Sequence, residues 1–163
     1  MTKIMATTSL MLLSFFSVFE ASATPLSTLN RYIDHCYKDT LAKSVLPSDS
    51  ACLKVIKNKR TTRKNKAIAL HNLAVLQVRS GELNKAKHSF ERAVALNGKQ
   101  AASLLALAQF HFSREPEMAQ QYVTRVLVLE PQDKLAIELQ NKLRMQQQLL
   151  SGTTVKSAVQ VAE

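Results

Sequence analysis

Between Ala67 and Pro131 the chain repeats itself with a period of about 34 residues. Leu70, Leu73 and Ala74 return as Leu104, Leu107 and Ala108. Ala86, Phe90, Ala93 and Leu96 return as Ala119, Val123, Val126 and Leu129. Each half reads as two amphipathic helices, with small residues where those helices must touch. A unit of two short helices cannot bury its apolar face alone, so such units must stack. The pattern predicts an all-α helical solenoid, and a binding surface rather than a catalytic centre. Glycine is scarce, three residues in all, and no convincing strand alternation appears.

Three segments carry the first unit: Ala67-Ile-Ala-Leu-His-Asn-Leu-Ala74, Ser80-Gly-Glu-Leu-Asn-Lys-Ala86 and Phe90-Glu-Arg-Ala-Val-Ala-Leu96. They supply a leucine-small pair, a glycine turn, and alanine, phenylalanine and alanine at fixed steps. In these features the unit resembles a tetratricopeptide repeat along its whole length. The next unit is similar, keeping Leu107-Ala108, Ala119 and the closing Pro131. It departs from the family at Val123, where an aromatic is preferred, and its turn is one residue shorter around Ser113-Arg-Glu-Pro116. The alternative is an ordinary protein of antiparallel helical hairpins.

Residues 1–23 stand outside the repeat. Lys3 is followed by a nearly continuous apolar or small run from Ile4 to Phe19, and Ala21-Ser-Ala23 offers small residues where a signal peptidase reads. The run is short for a membrane span and ends at Glu20. The expectation is a cleaved signal peptide, with an uncleaved anchor as the alternative. No cysteine follows the run, so a lipoprotein is not expected. The mature chain is then expected to start near Thr24 and to be exported, into a bacterial periplasm on this reading.

The two cysteines, Cys36 and Cys52, lie in that mature part, where an oxidising compartment favours a disulfide. The repeat sharpens the pairing. At a step of 38 residues toward the N-terminus, Ala74 falls on Cys36 and Phe90 on Cys52, while Leu70 falls on Tyr32 and Val94 on Ile56. Residues 29–62 thus read as a degenerate unit, followed by four extra residues, Arg63 to Lys66. A bond across its two helices closes a loop of about 15 residues and contributes about 3 kcal/mol in the chain-entropy model. A metal pair and a redox dithiol are the rival readings; two ligands make a poor zinc site, and the spacing is not Cys-x-x-Cys. The predicted division is 1–23 signal peptide, 24–150 repeat domain and 151–163 disordered tail. Within the domain, units span about 29–62, 67–100 and 101–133, with a capping helix over 134–150 whose stripe is Leu135, Leu139 and Leu143. A helix is also expected from Leu29 to about Leu46, ending at the turn Pro47 to Ser50.

No nucleophile motif, zinc-protease motif, phosphate loop or dinucleotide-binding pattern is present, so no enzyme activity and no cofactor are expected. His35, His71, His88 and His111 include no pair at the spacing of a helical metal site. His35 and His111 are expected beside the packed face, His71 near the edge of the inner surface and His88 in solvent.

Two surfaces are candidates for binding. In tetratricopeptide arrays the first helices of successive units line a concave face. The resemblance carried over by register places Ile33, Tyr37 and Leu41 there from the first unit, Ile68, His71, Val75, Val78 and Arg79 from the second, and Ala102, Leu105, Gln109 and Phe112 from the third. Such a mostly apolar groove suits an apolar helix or extended segment of another envelope protein. The lysine and asparagine with which some family members hold a terminal carboxylate are replaced by His71 and Val75. The alternative is that the last helix or the tail covers the groove.

The second surface is the basic run Lys54, Lys57, Lys59, Arg60, Arg63, Lys64 and Lys66, which contains no acid. Residues 24–66 carry ten basic and three acidic residues, a surplus of seven; residues 67–163 carry eleven and eight, a surplus of three. So local an asymmetry points to anionic lipid headgroups, an anionic polymer or an acidic protein, with a merely solvated junction as the alternative. Nucleic acid is not expected as the partner of an exported chain.

Overall fold

The computed structural model describes residues 26–42 and 48–160. Among them are seven α-helices and no strand: α1 Leu26–Leu41, α2 Ser50–Lys57, α3 Arg63–Arg79, α4 Leu83–Leu96, α5 Ala101–His111, α6 Pro116–Leu129 and α7 Lys134–Gln160. The expected signal peptide lies outside the described residues. Helices adjacent in sequence pack on one another, α1 with α2, α3 with α4 and α5 with α6, and α1 also touches α3. Connections of a few residues make such neighbours antiparallel.

Local chemistry sets the ends. The Thr62 hydroxyl accepts a hydrogen bond from the Asn65 amide at 3.2 Å and caps α3. At the other end of α3, Gly81 takes φ 75°, while the Glu82 amide donates to the Gln77 carbonyl and the Gly81 amide to that of Val78. This pair of bonds is the Schellman closure, and its left-handed residue favours glycine. Pro116 opens α6, where its missing N–H costs nothing. Four boundaries differ from the sequence reading. α1 starts three residues before Leu29 and ends at Leu41, not near Leu46. The residues Arg63 to Lys66 are not an insertion between units but the first turn of α3. α7 runs on to Gln160, so 151–160 is helical where a disordered tail was expected, and 161–163 lie outside the described residues.

The repeated positions are the core. Leu70 and Leu104, Leu73 and Leu107, Ala74 and Ala108, Ala86 and Ala119, Phe90 and Val123, and Ala93 and Val126 are all buried. Ala74, Ala86, Phe90 and Leu107 share one cluster; Ala108, Ala119, Val123 and Val126 share another with Ala136, Leu139 and Leu143 of α7. Leu135, expected in the α7 stripe, is instead exposed, and Ala136 takes its place. In the first pair the corresponding contact is covalent: Cys36 and Cys52 form a disulfide with Cα atoms 4.6 Å apart. It is buried among Val55, Ala69, Leu73 and Leu76. The bond stands where Ala74 meets Phe90 one unit later, as the step of 38 residues predicts.

Candidate binding groove and basic edge

α3 and α5 leave an open pocket of about 410 Å³ between them, lined by His71, Val75, Val78, Arg79, Phe90, Ala106, Gln109 and Phe110. Five of these, His71, Val75, Val78, Arg79 and Gln109, were expected on the concave face. The other three were missed. Phe90 comes from α4 and lines the pocket with its ring beside those of His71 and Phe110. Ala106 and Phe110 lie on α5 next to the predicted positions 105 and 109, a quarter-turn displacement that the 34-residue register does not resolve.

The remaining expected groove residues go elsewhere. Ile33, His71 and Leu105 occupy equivalent places in the three units, and each turns toward a helix of the neighbouring unit or cap. His71 Nδ1 lies 3.0 Å from the Ser103 hydroxyl on α5. Ile33 lines a small gap with Ile68, Asn65 and Asn72 of α3. Leu105 is buried with Leu139 and Leu143 of α7. At that register position the side chain meets a neighbouring helix, and of these three residues His71 alone also borders the pocket. Tyr37, Leu41 and Ile68 are exposed on α1 and α3 but do not line the pocket, and Ala102 is exposed on α5. Phe112 packs on the buried cluster beneath α7 and borders shallow hollows with Leu135, Lys142 and Met145. α7 thus covers the α5 end of the expected surface, yet no residue of α7 borders the pocket between α3 and α5.

The polar groups of the pocket are largely committed. The His71 ring packs 5.3 Å from that of Phe90, and burial pushes its pKa below the ordinary value. The Arg79 guanidinium donates to the carbonyls of Asp39 and Thr40 at 3.3 Å and of Ala42 at 2.5 Å. It therefore caps the C-terminus of α1, where open carbonyls and the helix dipole both favour a cation. Of the other histidines, His35 and His88 are exposed, and buried His111 lies 3.1 Å from the Glu115 carboxylate. His35 was expected beside the packed face; its place on α1 points outward.

The basic run divides by element. Lys54 and Lys57 lie on α2, Lys59 and Arg60 in the connection, and Arg63, Lys64 and Lys66 in the first turn of α3. Lys54 places its ammonium 4.8 Å from the Tyr32 ring centroid. Among the described residues none of the seven forms an ion pair with an acid, whereas Lys38, Lys85, Lys87 and Lys142 all do. Arg63 and Lys64 border a cleft of about 530 Å³ with Leu96, Asn97 and Lys99, which brings the α2–α3 and α4–α5 connections to one edge.

Among the described residues no group of His, Cys, Asp and Glu could hold a metal ion, and no helix is long and apolar enough to cross a membrane. No known protein family and no curated protein matches the chain.

Proposed function

We propose that this chain is a tetratricopeptide-type solenoid that acts as a non-enzymatic scaffold or adaptor in the cell envelope. The pocket between α3 and α5 receives an apolar segment of another exported protein. The observation that carries this reading is the pocket itself. Val75, Val78, Ala106, Phe110 and Phe90 give it apolar walls and floor, and it stays open on the outside. The repeat supports the architecture, because equivalent residues are buried in successive helix pairs. Export, cleavage after residue 23 and a periplasmic setting are part of the same reading. The apolar run from Ile4 to Phe19 and the Cys36–Cys52 disulfide support them.

The test is capture of partners from an envelope extract by in-cell crosslinking, with wild-type protein and with Val75→Glu and Val78→Glu. Both residues line the pocket without belonging to the buried core, so the variants should keep the helical circular-dichroism spectrum. The expected result is loss of the same crosslinked species in both variants. A species retained by both, with folding intact, overturns the groove as the binding site.

A further inference from the structure

A different surface carries its own inference. Lys57, Lys59, Arg60, Arg63, Lys64 and Lys99 are all exposed and gather along the edge made by the α2–α3 and α4–α5 connections. No acid of the described residues pairs with any of them. The α6–α7 connection carries the acids Glu130 and Asp133, and the Asp133 carboxylate accepts from the Ala136 amide at 2.8 Å. Unpaired like charges repel one another, and in the first turn of α3 they also oppose the helix dipole. Water and salt ions screen this repulsion only in part, and a surface of opposite charge would relieve it further.

We infer that this edge docks on an anionic lipid surface, with those six side chains among the headgroups. Two observations favour a bilayer over a shaped ligand. The cations are long, flexible and spread over two connections. The cleft that Arg63, Lys64 and Lys99 border is open, and its other lining residues are Leu96 and Asn97, a single apolar side chain where an acidic protein segment would use a buried cluster of anchors. A dense, laterally mobile array of negative charge suits them better than one fixed anion. The expectation of export makes a membrane, rather than nucleic acid, the polyanion within reach.

The experiment is co-sedimentation with vesicles of phosphatidylcholine containing one third phosphatidylglycerol, against pure phosphatidylcholine. The full chain and the chain from Thr24 are both used, because the apolar run before Glu20 would itself enter bilayers without regard to charge. Each basic residue near an anionic surface raises binding about five-fold, so Lys57→Gln, Arg60→Gln and Lys64→Gln together should lower it about a hundred-fold. An equal change at Lys85, Arg114 and Arg144, away from this edge, should leave binding within a few-fold. Raising salt from about 0.1 M to about 1 M shortens the screening length from about 10 Å to about 3 Å and should release the protein. Absent or salt-insensitive binding, equal loss in both triple variants, or preference for nucleic acid over the vesicles overturns the inference. So does competition by millimolar inorganic phosphate at constant ionic strength, which would mark a discrete anion site.

Discussion

His71 shows how a side chain can be legible in type and still be misplaced. Its position in the repeat made it a groove residue, and it does line the pocket. Its ring, however, is spent on Ser103 and Phe90, so it joins α3 to α5 more than it offers a free donor. Burial favours the neutral imidazole, so the folded pKa lies below the unfolded value near 6.5. Between those two values the unfolded chain binds more protons than the folded one. His71 therefore contributes full stability above about pH 6.5, and the contribution fades as pH falls toward the folded pKa. The melting temperature should drop between pH 7.5 and pH 5, and His71→Gln should drop less over the same range. Equal drops in both proteins would mean the ring is not buried neutral. Leu105 and Phe112 were misread for a related reason. Equivalent places in a repeat share an environment only while the next neighbour is equivalent, and for α5 that neighbour is α7.

The helices themselves were mostly visible, because apolar spacing and small residues constrain packing directly. Ala86 and Ala93 are wholly buried on α4, where the pattern admits only small side chains. Ala86→Leu should overpack the contact with Ala74 and Phe90 and cost roughly 1–3 kcal/mol, seen as a lower denaturant midpoint with an unchanged slope. An unchanged midpoint would mean the neighbouring helices give way freely. The ends were harder to read. Thr62 is a good cap five residues ahead of Ala67, where the recognisable repeat begins, and its bond to Asn65 adds a turn to α3 that no comparison with α5 could reveal. The α7 stripe was placed one residue off, at Leu135 rather than Ala136. An alanine facing a crowded neighbour gives no hydrophobic signal above its surroundings.

Contacts between successive helices tie the chain together, and the Cys36–Cys52 bond fixes one end of that series. The pairing was legible because two weak signals agreed: the expectation of export to an oxidising compartment and the step of 38 residues. Cys36→Ser with Cys52→Ser should cost about 2–4 kcal/mol, the usual worth of such a cross-link. On the stacking proposed above, each helix pair leans mainly on its neighbours, so the loss should be uneven. Amide exchange should quicken in α1 and α2 and change little in α5 and α6. Uniform quickening would mean the helices unfold as one cooperative block.

The Arg79 cap has a chemical corollary for whatever enters the pocket. Its positive charge already faces the carbonyl end of α1, which acts as a built-in counter-ion. A carboxylate arriving there would meet a guanidinium that already donates to main-chain oxygens, and the neighbouring imidazole of His71 is pushed toward its neutral form. On the role proposed above, the pocket should favour oily side chains over acidic ends, so a peptide ending in a carboxylate should bind no more tightly than its amide.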